Sequence, residues 1–142
     1  MAGYMTKLQG YVYEGELVNG AASAVANGVL MLPATSTNIG KLVLPASADT
    51  TSKFLCKEVT EIYGLTAYRF VVEKLNANYY LIENGYEVND SEEYNTTTYT
   101  TAVGKYLRAH PLLVGEEFVT TAVTGTIAAG TEYGVKTDGT IG

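Results

Sequence analysis

The chain has 142 residues, a formal net charge of −6, 12 Tyr, 15 Gly and no Trp. This length suits one domain with an ordinary hydrophobic core. The acidic balance and the scattered Lys and Arg speak against binding to nucleic acid, whose phosphates require a basic surface. Abundant Thr, Val and Tyr are typical of a pleated, half-buried sheet.

Four turn signals punctuate the chain: Asn19-Gly20, Asn27-Gly28, Asn84-Gly85 and Asp138-Gly139. Asn-Gly and Asp-Gly supply the positive φ angles that a two-residue hairpin needs. The sequence therefore predicts an all-β fold, a small antiparallel sandwich or barrel-like domain built from hairpins. No segment of ten or more residues has a convincing helical period.

Residues 1–10 are predicted to form an N-terminal arm that is loose unless a partner orders it, and residues 11–142 a single β domain. A strand pair is expected within 11–18, around Glu14-Gly15. Further short strands are predicted at 22–26, 29–32 and 42–44, the last two ended by proline.

The segment 17–40 carries no charge, which raises the question of a membrane span or signal peptide. Its Asn-Gly pairs and Pro33 leave no run of 18 apolar residues. Glu14 and Glu16 stand where a signal peptide would have positive charge. We expect a soluble, unprocessed protein without a membrane partner.

A polar loop is predicted at 46–52. Residues 54–63 fit a helix or a strand, and their β-branched content favours a strand, which forms a hairpin with 68–75 across Gly64-Leu65-Thr66. Residues 76–101 differ in character, with no Lys or Arg, five acids and five tyrosines. This stretch is interpreted as an acidic, Tyr-rich loop or extension. Strands are expected to resume at 106–109, 116–123, 126–127 and 133–135.

The sequence offers little for catalysis. Gly15 and Gly20 have the spacing of a phosphate loop, but the lysine and hydroxyl residues that should follow are absent. Cys56, the single cysteine, excludes an internal disulfide, fits a reducing compartment and is interpreted as a buried structural thiol. His110, the single histidine, is interpreted as structural or as a surface residue.

Acidic residues are the remaining catalytic candidates. Glu92-Glu93 and Glu116-Glu117 are neighbours that point to opposite faces of a strand, so neither pair suits a glycosidase, and we expect solvated acids. Residues 84–93 lack the ligand spacing of a calcium loop. The sequence therefore predicts no catalytic residue, cofactor or metal, and a small hydrolase is a minor alternative.

Tyrosine is the better functional indicator because it combines apolar area with a polar tip and is enriched at protein interfaces. Any single tyrosine also fills a sheet face routinely, so a structural role stays open for each. The candidate contact residues of the middle segment are Tyr79, Tyr80, Tyr86, Tyr94 and Tyr99.

The segment Tyr11 to Gly20, with a second Asn-Gly after it, resembles the start of capsid decoration (cement) proteins of tailed phages. Residues 115–121, with Gly125, Gly130 and the closing Asp138 to Ile141, are similar to the rest of that layout. The resemblance implies a non-enzymatic virion structural protein on the capsid exterior, made in the bacterial cytoplasm. It further implies that the major capsid protein and further copies of this chain, as a trimer or dimer, are its partners.

In that role the N-terminal arm, through Tyr4, Lys7 and Leu8, is expected to contact the shell, and the Tyr79–Tyr106 excursion is expected to contact neighbouring subunits. The alternative is a receptor- or glycan-binding β module of a phage tail or fibre, whose exposed aromatic rings stack on sugars. Copy number separates the two, since a decoration protein covers heads at a high, symmetric number.

Overall fold

The computed structural model describes residues 5–7, 13–34, 40–62, 64–84 and 99–142, with the backbone alone considered for 5–7 and 13–16. The prediction of an all-β, barrel-like or sandwich domain is confirmed. The strands, in chain order, are β1 Met5–Lys7, β2 Tyr13–Asn19, β3 Val25–Ala26, β4 Leu30–Pro33, β5 Lys41–Val43, β6 Asp49–Ile62, β7 Leu65–Lys74, β8 Tyr80–Ile82, β9 Thr100–Thr101, β10 Tyr106–Pro111, β11 Glu117–Thr120 and β12 Glu132–Val135.

Two larger sheets organise these strands. The first is five-stranded, in the order β1-β11-β7-β6-β12, and the second is a closed barrel in the order β10-β2-β5-β4-β8. β3 and β9 form a small third sheet. Most pairs are antiparallel, as predicted, but β2 and β5 run parallel, with Val18 opposite Lys41.

The long hairpin of β6 and β7 is confirmed. Ile62 pairs with Leu65, so the connection between the two strands is shorter than expected. The predicted loop 46–52 is partly wrong, because β6 already begins at Asp49. The Asp49 carboxylate explains this early start, since one of its oxygens accepts the backbone N–H groups of Thr51 and Ser52, each at 2.9 Å.

The turn signals have mixed outcomes. Asp138-Gly139 makes a tight reversal, with Gly139 at φ +82° and Val135 bridged antiparallel to Ile141. Gly28 also has a positive φ of 85°, but the strands on either side of it pair with other strands rather than with each other. The prediction of a hairpin there is wrong.

Asparagines of these signals serve as buried hydrogen-bond hubs instead. The Asn19 amide donates to the carbonyl oxygens of Ser23 and Thr101 at 3.1 and 2.9 Å. The Asn27 side chain makes two hydrogen bonds to the backbone of Asn84: its amide donates to the Asn84 carbonyl at 2.7 Å, and its oxygen accepts the Asn84 N–H at 2.6 Å. Gly85 lies outside the described residues. Because these asparagine side chains bind groups that are distant in the sequence, Asn-Gly does not indicate a hairpin at these positions.

Three further strand predictions need correction. Tyr13–Asn19 is one strand that runs through Glu14-Gly15, rather than a strand pair. The strand expected at 22–26 is limited to Val25–Ala26, and residues 126–127 are not a strand. Met5–Lys7, within the predicted arm, pairs with β11 and forms one border of the first sheet.

The buried apolar residues form two clusters. One lies against the five-stranded sheet and contains all three phenylalanines of the chain, Phe54, Phe70 and Phe118. The other fills the barrel with smaller aliphatic side chains such as Met31, Leu42 and Ile82. Cys56 is fully buried in β6, which confirms the structural interpretation, and this burial raises the pKa of its thiol.

Candidate partner-binding surface

Side chains are described for three of the eight predicted contact residues: Tyr79, Tyr80 and Tyr99. Tyr80 in β8 and Tyr99 beside β9 are half-buried, whereas Tyr79 is only 2% exposed. Lys7 is the last residue of β1, where only the backbone is considered. Tyr4, Leu8, Tyr86 and Tyr94 lie outside the described residues.

Tyr79 belongs to the core of the protein. Its ring packs edge-on against Phe54, with centroids 6.3 Å apart, and its hydroxyl donates to an Asp49 carboxylate oxygen at 2.6 Å. Both the ring and its polar tip therefore have internal partners. Tyr79 is therefore too deeply buried to serve as a contact residue.

The Asp49 carboxylate organises the strand around it. Besides the two backbone N–H groups at the start of β6, it accepts the hydroxyl of Ser52 at 2.7 Å and that of Tyr79. The Ser52 hydroxyl in turn accepts the N–H of Asn76 at 2.8 Å. This network ties β6 to the segment that follows β7.

The electrostatics of this network keep Asp49 charged and Tyr79 neutral. Burial alone would raise the pKa of Asp49, but the hydrogen bonds from Tyr79, Ser52 and Thr51 outweigh it and hold the pKa below 3.8. The pKa of Tyr79 is raised above 10, first by burial and then by the adjacent carboxylate.

A shallow cleft of about 270 Å³ opens beside this network, lined in part by Leu32, Ala48, Asp49 and Tyr79. A carboxylate offers about four lone-pair positions, and the Asp49 oxygens already accept four hydrogen bonds within the protein. The acid in the cleft is therefore committed to structure and has little capacity left for a ligand.

A second polar cluster joins Glu83, Arg108 and His110, and the sequence analysis did not find it. One carboxylate oxygen of Glu83 lies 2.5 Å from Arg108 Nη1 and 3.0 Å from His110 Nε2. Arg108 and His110 are two apart on β10 and share a face, and this spacing is the sequence pattern that indicates the cluster. His110 is buried and hydrogen-bonded, in agreement with a structural role.

The prediction of a solvated acid is wrong for Glu116, whereas Glu117 remains partly exposed, and Glu92 and Glu93 lie outside the described residues. Glu116 is buried, and its carboxylate accepts the N–H of Leu113 at 2.7 Å. Glu117 forms an ion pair with Arg69, whose Nη2 lies 2.7 Å from the carboxylate. The first acid holds a turn and the second links β11 to β7.

The turn held by Glu116 presents two adjacent aliphatic side chains to solvent, with Leu113 67% and Val114 63% exposed. We call residues 113–115 the apolar turn. On one side Leu112 is buried in the core, and on the other the N–H of Gly115 donates to the Val72 carbonyl at 2.7 Å. The backbone is thus fixed from both sides while its apolar side chains remain uncovered.

Two lysines lie at the same end of the sheet as the apolar turn. Lys53 on β6 is directly opposite Lys74 on β7. Like charges in that position repel each other. Within the described ranges, neither ammonium group has a carboxylate within ion-pair distance.

Among the described residues, no group of three His, Cys, Asp or Glu side chains is arranged to hold a metal ion. That part of the chain also contains no helix of the length and hydrophobicity needed to cross a membrane. Comparisons with protein-family models, with curated proteins and with solved structures find no significant match to this chain.

Proposed function

We propose that this chain is a structural protein of a phage virion, which binds the outer capsid surface and stabilises the head by bridging major capsid subunits. The proposal combines the resemblance of both ends of the chain to decoration proteins with the position of the N-terminal strand. It assigns a binding role, with no catalytic residue, cofactor or metal.

The observation that carries the proposal is the border position of β1. Met5–Lys7 pairs with β11 on one side, and in the described part of the chain no strand covers its other side. An uncovered strand edge presents backbone N–H and C=O groups that a strand of another protein can bind. Of the predicted shell-contact residues, Lys7 is the last residue of this strand, and Tyr4 and Leu8 are its neighbours in sequence, outside the described residues.

Multiple weak contacts suit this role. A protein that bridges several subunits gains affinity because each contact raises the effective concentration for the next. The tyrosines that remain candidates for contact between neighbours are Tyr80 and Tyr99, which are half-buried, and Tyr86 and Tyr94.

The test is quantitative binding of the purified protein to expanded, empty heads of tailed phages. We expect saturable binding at a stoichiometry that matches the shell lattice, and weakening of about tenfold or more when residues 1–10 are deleted. Thermal melting of the deleted chain establishes that the β domain remains folded. The Val59→Ser variant, altered at a 44% exposed site in β6 outside both predicted contact regions, is the control and should bind as the unaltered protein does.

Absence of binding to any head overturns the proposal. Binding to glycans or to a cell surface in its place would favour the receptor-binding module. If the chain without residues 1–10 binds heads with unchanged affinity, β1 is not part of the contact. That result would leave the proposed capsid role itself intact.

A further inference from the structure

A small apolar pocket lies beyond the opposite end of β11 from the apolar turn. Its volume is about 160 Å³. The apolar lining consists of Ala24, Val25, Ala26, Val29 and Leu44, and Asp138 stands among the polar residues around it.

Asp138 gives this pocket a negative charge. One carboxylate oxygen accepts the N–H and the hydroxyl of Thr140, at 3.0 and 2.6 Å. In the part of the chain that the structure describes, no Lys or Arg lies within ion-pair distance of it. The second oxygen is therefore available to a cation from another molecule.

The apolar turn has the opposite character. Leu113 and Val114 project from a fixed backbone, and Lys53 and Lys74 lie nearby without acidic partners. Burying such aliphatic side chains removes apolar area from water and so favours association. Because the turn is already held by Glu116 and Gly115, little conformational freedom remains to be lost on binding.

The two features lie beyond opposite ends of β11. The apolar turn immediately precedes Glu117, whereas at the other end the Thr120 hydroxyl donates to the Gly28 carbonyl at 3.0 Å. A little further along the chain, the hydroxyls of Thr124 and Thr140 lie 2.5 Å apart, beside the pocket. One molecule can therefore use its turn and its pocket at the same time.

We propose that copies of this chain associate head to tail, with the apolar turn of one copy in the Ala24–Val29 pocket of the next. Apolar side chains enter an apolar pocket, and the unpaired lysines beside the turn approach the unpaired carboxylate of Asp138. A contact between two different surfaces closes into a ring or extends as a filament. This proposal concerns the free protein and does not depend on binding to heads.

The first experiment measures the solution mass of the full chain by sedimentation over a range of concentrations. We expect a mass above that of the monomer, and a shift to the monomer in either of two variants, each with association weakened at least about tenfold. Val114→Asp places a charge on the turn. Ala24→Arg fills the pocket mouth from an exposed position and repels the lysines. Val103→Asp, at a 52% exposed site in another loop, is the control and should associate normally.

Mixing the two defective variants is the decisive step. Val114→Asp retains an intact pocket and Ala24→Arg retains an intact turn, so a head-to-tail contact predicts that the mixture forms a heterodimer. A symmetric contact in which like surfaces meet would not be restored by mixing. A monomeric unaltered chain at high concentration, or a mixture that stays monomeric, overturns the proposal.

Discussion

The two hydrophobic cores of this protein are stabilised in different ways. Against the five-stranded sheet, Phe118 packs on Phe54 and Phe70, with ring centroids 6.0 and 5.9 Å away. The barrel has a core of smaller side chains, including Ala21, Ala109 and Ala122, and buried asparagines lie around it. Large rings bury much apolar area per residue. Small residues allow strands to approach closely, and the buried, hydrogen-bonded asparagines then contribute more to specifying a single arrangement of the strands.

This comparison predicts that truncating an aromatic ring has the largest effect. Phe118→Ala removes the ring that contacts both other phenylalanines and leaves a cavity in a fully buried site. We expect the free energy of unfolding to fall by about 3–5 kcal/mol. Denaturant unfolding measures it, with Val103→Ala as the exposed control. A loss below about 1 kcal/mol would mean that the site collapses around the deletion.

The barrel is best tested at Asn84. Its amide donates to the Thr101 hydroxyl and the Tyr106 carbonyl at 2.7 and 3.0 Å, and its side-chain oxygen accepts the N–H of Arg108. Asn84→Ala removes the hydrogen-bond partner of all three groups. Each group that water does not reach then lowers the free energy of unfolding by about 1–3 kcal/mol. Only the contact with the Thr101 hydroxyl is fully buried, so we expect a loss of about 2 kcal/mol, measured by denaturant unfolding.

Asn78→Ala, at an exposed position, is the matched control for the barrel and should change stability by less than about 0.5 kcal/mol. Equal effects of the two substitutions would contradict the role of Asn84 as a hub. A loss at Asn84 as large as that at Phe118 would erase the contrast between the cores.

The smallest expected effect is that of a single hydroxyl group. Tyr79→Phe keeps the ring in the aromatic core but removes a hydrogen bond to the ionised Asp49. We expect a loss of about 1–2 kcal/mol at pH 6. Because the pKa of Asp49 is lowered by folding, its contribution is present above pH 3.8 and is lost as the pH falls through the folded-state value.

The difference between Tyr79→Phe and the unaltered protein should therefore narrow in acid below about pH 3.8. Thermal melting from pH 6 to pH 2.5 measures this difference, and Tyr106→Phe at an exposed site serves as the control. A gap that is constant across this range would show that the hydroxyl acts independently of the charge on Asp49.

The all-β class and the β6–β7 hairpin were predictable because both depend on local signals, namely β-branched residues and a glycine turn. The turn at Asp138-Gly139 was predictable for the same reason. Asn19 and Asn27 were misinterpreted because their amides bind groups far away in sequence, such as Thr101 and Asn84. No local pattern reports that competition.

The candidate surfaces were less predictable than the fold. Leu113 and Val114 follow a strand and resemble core residues in sequence, and their exposure depends on Glu116 capping the turn. Tyr79 was included with possible contact residues because sequence does not indicate that Asp49 lies beside its hydroxyl. Both cases depend on contacts between separate elements, which composition and spacing do not encode.

The pairing of β1 with β11 has a consequence for the order of events during synthesis. Met5 and Thr120 lie opposite each other in the sheet but near opposite ends of the chain. Ribosomes add roughly 5–20 residues per second, so the N-terminal segment waits on the order of ten seconds before its intramolecular partner emerges. During that interval the nascent strand is accessible to chaperones and to neighbouring nascent chains, and this sheet border can be completed only after β11 has been synthesised.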